Sequence, residues 1–198
     1  KESEISLENV SELLEISGNV GKPEHMYNKI NVIEIQEKIN DRRTLSSFSK
    51  IDLVVAKVID VKEHPRADKL YVLKVDTGNG EKQIVSGLRK HYVPEELIGR
   101  KVILVNNLKK ADLRGIISEG MLLAASKKDS LGILFANKSN VGEKVLLEGV
   151  DSKPNKEITI DDFGKVHLVT SNGKIAYKEH VLKTQSGENI LTEKVEDD

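Results

Sequence analysis

The longest apolar pattern begins at Ile51 and changes the character of the chain. Ile51, Leu53, Val54, Val55, Ala56, Val58, Ile59 and Val61 form a β-branched run, which predicts a first strand that curls. Leu70–Val75 predicts the next strand. A Gly-rich turn at 77–81 leads into a hairpin partner over Gln83–Val85. Pro94–Gly99 predicts a short helix, with Pro at its start, acids in its first turn and Gly at its end. Lys101–Val105, Met121–Ala125 and Ile133–Phe135 are further strands. Before Ile51 the period is helical: Ile5, Leu7, Val10, Leu13 and Leu14 share a face, and 18–23 breaks the helix with glycines and a proline. Asn31 and Glu34 form a capping-box pattern that opens a second helix through Ile35 and Ile39. Arg42–Ser49 is polar and serine-rich and reads as a connector. After Gly149, the segments 158–160, 166–169, 175–177 and 189–192 predict short strands, with Asn172-Gly173 as a type I′ hairpin turn and a second turn at Ser186-Gly187.

Five or six short strands with one helix between the third and fourth predict a mainly β chain. Its centre is a five-stranded Greek-key barrel of the oligonucleotide-binding (OB) type. The divisions are a helical segment over 1–48, the barrel over 49–148 and a β-rich appendix over 149–198. About 45 residues bury little on their own, so the appendix is expected to pack against the barrel.

Charge sharpens this picture. The 198 residues carry a net charge of −1, but residues 50–148 hold 18 Lys and Arg against 13 Asp and Glu, a net of +5. Each flank is at −3. Positive charge gathered on a barrel hints at a polyanionic partner. The absence of cysteine excludes disulfides and thiolate metal sites and is compatible with a reducing, cytoplasmic setting. No apolar run nears the roughly 20 residues of a membrane helix, so no membrane association is expected. The five histidines have no ligand-pair spacing, and no nucleophile constellation or phosphate loop occurs. No metal, cofactor or catalysis is therefore expected. The chain starts at Lys1 and reads as a piece of a longer protein.

Several motifs coincide in the middle region: His64-Pro65-x-Ala67-Asp68-x-Leu70, Val85-Ser86-Gly87-Leu88, Val102–Leu108, and Arg114-Gly115-x-x-Ser118-x-x-Met121. Together they resemble the tRNA-binding domain of endothelial monocyte-activating polypeptide II, which is also appended to some tyrosyl- and methionyl-tRNA synthetases. The resemblance runs from Ile51 to about Thr192. Gly21-Lys22-Pro23-Glu24 with Tyr27 and Ile30 is similar to the segment leaving the helical bundle of methionyl-tRNA synthetases. The resemblance implies an auxiliary tRNA-binding module without sequence specificity, attached to a methionyl-tRNA synthetase and delivering tRNA to its catalytic unit. It also implies an appendix that mimics the second subunit of a dimeric barrel, hence a monomeric pseudo-dimer. Neither His-Ile-Gly-His nor Lys-Met-Ser-Lys-Ser is present, so this stretch is not expected to aminoacylate. The alternative is an interaction module, cytokine-like or docking to other synthetases in a multi-synthetase complex. The first strand lacks the Arg-Ile-Gly that leads the family's cytokine heptapeptide.

Phosphates are met by Lys and Arg. The candidates are Arg66 and Lys69 beside the His64 turn, then Arg89, Lys90, Lys109, Lys110, Arg114, Lys127 and Lys128, which could crowd one rim. By resemblance Ser118 and Met121 join them; their structural alternatives are a buried hydroxyl and a gap filler. Asn107 could meet a base or ribose, or cap a loop. His64 reads as a turn stabiliser, with Asp68 holding the same turn. Tyr71, Tyr92 and Phe135 are the aromatics that could stack on bases. With so few, recognition by backbone and shape is favoured over single-strand stacking.

Overall fold

A computed structural model describes residues 45, 47–171 and 173–195, all within one compact unit, Ile39–Asp198. The two helices expected before residue 42 lie outside the described residues. Strand β1 (Leu53–Glu63) is the hub. Along one edge it pairs with β4 (Lys101–Val105) through Leu53–Lys57. Along the other it pairs with β2 (Tyr71–Asp76) through Lys57–Glu63 and with β10 (Lys144–Leu147) at Leu53 and Val54. A register shift between Val58 and Asp60 bends the strand, so one strand can serve two directions. β2 continues into β3 (Glu81–Ser86) through a hairpin, and β4 pairs with β7 (Met121–Leu122). The circuit is drawn together where Glu119 N–H donates to the Gln83 carbonyl at 2.8 Å and Val85 N–H donates to Ser118 Oγ at 3.0 Å. This arrangement is compatible with the expected five-stranded barrel. Helix α1 (Pro94–Leu97) precedes β4, as expected.

The remaining elements are β5 (Ala111–Leu113), β6 (Ile116–Ser118), β8 (Ala124–Lys127), β9 (Ser130–Phe135), α2 (Ile160–Gly164), β11 (Val169–Ser171), β12 (Lys174–Tyr177), β13 (His180–Thr184) and β14 (Leu191–Thr192). The sequence reading did not anticipate β5, β6, β10 or β13. Residues 158–160 are not a strand. Ile158 makes a single parallel bridge to Leu108. Thr159 caps α2, with its hydroxyl accepting from Asp162 N–H at 3.1 Å. Asp161-Asp162 is therefore the acidic first turn of a helix. The strand expected over 166–169 begins only at Val169. The expected connector ends differently too: residues 47–49 are helical, and Phe48 is buried and stacked on Tyr177.

Two cores explain the architecture. Val54, Ala56, Val58, Leu73, Val75, Ile84, Val102 and Leu104 fill the interior of the curled sheet. Within it, the Tyr92 hydroxyl accepts from Ile133 N–H at 3.0 Å, and burial pushes the Tyr92 pKa up to about 12. The alternate residues of the same strands, Leu53, Val55, Ile103 and Val105, point the other way into a second core with Val145, Leu147, Ile175, Tyr177, Leu182 and Ile190. The appendix thus covers the outer faces of β1 and β4, through β10–β13, β12–β14 and β14–β9 pairings. Strands buried on both sides read as unbroken apolar runs, which is why 53–56 and 102–105 do not alternate.

Carboxylates fasten this cover. Glu188 accepts from the N–H groups of Lys138 and Ser139 and from the Ser139 hydroxyl. Glu193 forms a forked pair with Arg100, with Nη2 to Oε2 at 2.8 Å. The Glu193 backbone passes so close to Gly132 that a Cβ there would stand 1.6 Å from the Glu193 carbonyl oxygen. Desolvation pushes the Glu188 pKa up, but the Ser139 and backbone bonds outweigh it and hold the value below the usual range; Arg100 does the same for Glu193. A depressed folded pKa stabilises above the unfolded carboxylate value of about 4.3 and is lost as pH falls through the folded value.

Two predictions follow from the cover. A chain ending at Glu148 bares Leu53, Val55, Ile103 and Val105, each worth about 1.5–3 kcal/mol when buried; it is expected to aggregate or fail to melt cooperatively in calorimetry. Glu188→Gln is expected to lower stability to urea at neutral pH, with a gap to the natural chain that narrows between about pH 5 and pH 3.

Candidate nucleic-acid interface

The hairpin of β5 and β6 stands off the sheet as a finger laid along β3. Its pairing is Ala111↔Ser118, Asp112↔Ile117 and Leu113↔Ile116, with Arg114 and Gly115 at the tip. Both tip residues have positive φ, 56° and 85°, a conformation that suits Gly and strains Arg mildly. Asp112 Oδ1 accepts from Gly115 N–H and closes the turn. Gln83 Nε2 donates to the Ile117 carbonyl at 2.8 Å and moors the finger to β3.

The tip is held by His64, which is 3% exposed. Its Nδ1 accepts from Arg66 N–H at 3.1 Å, which leaves the proton on Nε2, 3.0 Å from the Leu113 carbonyl. One ring therefore joins the 64–69 turn to the finger. The Arg66 guanidinium lies on Gly115, where a Cβ would be 2.1 Å from Nη2. His64 acts as a turn stabiliser, as expected, and also reaches across to a second loop. Among the described residues Asp68 makes no bond that holds the turn; it is exposed.

At the base of the finger, Lys110 Nζ donates to Glu119 Oε1 at 2.6 Å, and Glu119 Oε2 accepts from Gln83 N–H at 3.1 Å. Both bonds, the Lys110 one foremost, hold Glu119 below its ordinary pKa. Lys82 Nζ donates to the Asn106 carbonyl at 2.6 Å. Burial pulls the Lys82 pKa down, opposed by Glu119 and Asp52. A groove of about 330 Å³ crosses β1–β3 beside this base, with Lys62, Lys74 and Lys82 interleaved with Asp60, Glu81 and Glu119 along it. The sequence reading passed over these three lysines. The two-residue alternation against Asp60, Val72 and Gln83 was the available signal for the outward pair, Lys62 and Lys74.

The candidate cations fall into four settings. Arg66, Lys69 and Arg114 are exposed around the His64 turn and the finger tip. Arg89 and Lys90 follow β3, whose Ser86 pairs with Tyr71, itself opposite Glu63; Arg89 is bound to Glu63 at 2.8 Å. Lys109 and Lys110 sit at the finger base, Lys109 exposed and Lys110 paired as described. Lys127, the last residue of β8, and Lys128, in the turn that follows, instead belong to a separate hairpin whose partner strands lead toward the appendix. The structure therefore groups seven of the nine along the finger and the His64 turn and assigns the other two elsewhere.

The uncharged candidates carry structural loads. The Asn107 side chain accepts from Asp52 N–H and donates to the Lys50 and Asn155 carbonyls, each at 2.9 Å. Ser118 is buried, accepts from Val85 N–H and donates to the Gly120 carbonyl at 2.9 Å. Met121 is half-buried and packs on the second core. Tyr71 and Tyr92 are buried inside the sheet, and Phe135 lies under the Arg100 guanidinium. None of the three aromatics is presented for stacking on bases.

Residues 53–144 match the family model described as "Putative tRNA binding domain". The chain is also 33% identical to the C-terminal domain of Plasmodium vivax p43, covering 94% of that chain and 74% of this one with a TM-score of 0.69. The chain belongs to the tRNA-binding domain family. Methionine–tRNA ligases are among its relatives: 52% identity over 99 residues in Nanoarchaeum equitans, 46% over 121 in Pyrococcus abyssi and 36% over 177 in Borreliella afzelii. These alignments cover 50%, 61% and 77% of this chain, but only 13%, 17% and 24% of the relatives' lengths. The matched region of this tRNA-binding domain spans the hub strand, the His64 turn and the whole finger. Within the domain, Ser118→Ala is expected to cost about 1–3 kcal/mol in thermal or urea unfolding, because Val85 N–H loses its buried acceptor. RNA affinity measured well below the melting temperature is expected to stay unchanged.

Proposed function

We propose that this chain is an auxiliary tRNA-binding module of low sequence specificity that serves a methionyl-tRNA synthetase by holding tRNA near its catalytic unit. The carrying observation is the gathering of Arg66, Lys69, Lys109 and Arg114 along one finger and turn, with no acidic partner among the described residues, in a chain of this family. These groups offer charge and N–H donors to a phosphate outline. With Tyr71, Tyr92 and Tyr177 buried, recognition rests on backbone and shape, which suits a folded RNA better than a single strand. Covalent attachment turns weak capture into a raised local concentration of substrate. A single-copy pseudo-dimeric state and a cytoplasmic setting belong to the same reading; docking to other synthetases is the alternative, an interaction module. Among the described residues no helix is long and apolar enough to cross a membrane.

The test is a gel-shift titration of the 198-residue chain against several purified tRNAs at a series of salt concentrations. Comparable affinities that fall steeply with salt are expected; no retardation at low salt, or strong preference for one tRNA, would refute the reading. Replacing Lys109, Lys110 and Arg114 by Ala is expected to shallow the salt slope by about one unit per lost phosphate contact, with the smallest share from Lys110 because Glu119 already occupies it.

A further inference from the structure

The geometry points to a two-arginine phosphate clamp, Arg66 with Arg114, assembled by the buried His64 as a positioning residue. The inference rests on the tRNA-binding reading and adds to it the residues and device that receive one phosphodiester of the folded RNA. Four observations carry it. Arg66 and Arg114 come from loops 48 residues apart in sequence, yet the Arg66 guanidinium rests on Gly115, the immediate neighbour of Arg114. Both side chains are exposed, and among the described residues neither has a hydrogen-bonded or ionic side-chain partner. His64 spends both ring nitrogens on this one junction, Nδ1 on Arg66 N–H and Nε2 on the Leu113 carbonyl. The tip is also pinned from within, since Asp112 holds Gly115 N–H and both tip residues keep positive φ.

Chemically, two planar guanidinium groups next to one another suit a phosphodiester with two free oxygens, each accepting from one fork. Nearby cations would repel in the free protein, so something must hold their backbones close before the anion arrives. A buried imidazole bonded to both loops does this at no cost in long-side-chain entropy at the moment of binding. Gly115 supplies the floor: any Cβ there collides with Arg66.

The test measures the slope of log affinity against log salt for unfractionated tRNA with the 198-residue chain and six variants, at a temperature where circular dichroism shows each to be folded. Arg66→Ala and Arg114→Ala are each expected to shallow the slope by about one unit. His64→Ala is expected to shallow it by about two units, after which adding Arg114→Ala changes nothing further. His64→Asn keeps an acceptor for Arg66 N–H but loses the reach to Leu113, and is expected to remove about one unit. Gly115→Ala, at an exposed tip that leaves both cores intact, is expected to displace the Arg66 guanidinium and strain the tip at its positive φ, and so to remove about one unit even if His64→Ala does not fold. A His64→Ala or Gly115→Ala chain with the natural slope, or an Arg114→Ala loss undiminished in the His64→Ala background, would overturn the clamp while leaving tRNA binding standing. Failure of the unaltered chain to bind tRNA would overturn the functional reading itself.

Discussion

Burial of β1 and β4 on both faces is the constraint from which the rest of the structure follows. Val54, Ala56 and Val58 fill the interior of the curled sheet, and Leu53 and Val55 on the same strand need a second cover. A small barrel with one water-facing side could alternate apolar and polar residues. This one cannot stand alone, so the appendix is an integral layer: β10 pairs with β1 along one edge and with β13 along the other. Phe48, in what reads as a polar connector, is drawn into the same layer against Tyr177. Hydrophobic burial thereby decides where the cations are available. With the outer faces of β1 and β4 covered, the groove over β1–β3 and the finger beside it remain as the polar, solvated flank.

On that flank, electrostatics sorts the basic residues by whether protein acids already satisfy them. Arg89 and Lys110 are bound to Glu63 and Glu119, and exposed pairs of this kind contribute little to stability. They do fix geometry: Glu119 takes Lys110 with one oxygen and Gln83 N–H with the other, which ties the finger base to β3. Lys82 goes further, losing part of its hydration to bond a backbone carbonyl. What is left for an external anion lies at the tip, on the His64 turn, at Lys109 beside the finger base and at Lys90 after β3. The site is thus a scaffold of neutralised charge carrying a smaller set of unneutralised charge.

Much of the fold was legible because the apolar pattern is strong where strands are long. β1, β2, β4 and β12 follow directly from apolar runs; the absence of alternation at Leu53–Ala56 and Val102–Val105 marks two buried faces, a sign that goes unread in a pattern taken only for a curling strand. Short elements escaped for physical reasons. β5 and β6 are three residues each and largely exposed, so no burial writes a period into them. β10 and β13 depend on pairing with distant strands rather than on local preference. Thr159 and Asp162 form a cap whose signal was masked by the flanking isoleucines, which suggested a strand. In the site, residue type identified the cations but not their company. Nothing in the sequence says that His64 reaches Leu113, or that Asn107 is consumed by three protein bonds, because these depend on contacts about 50 residues apart.

The position of the cover at the far end of the described chain also bears on biosynthesis. β14 seats against β9 with the Glu193 backbone over Gly132, a contact between segments about 60 residues apart. A ribosome extending at roughly 5–20 residues per second completes the barrel strands seconds before the residues that shield them emerge. During that interval the nascent chain carries an uncovered apolar sheet face, the kind of transient surface that favours aggregation.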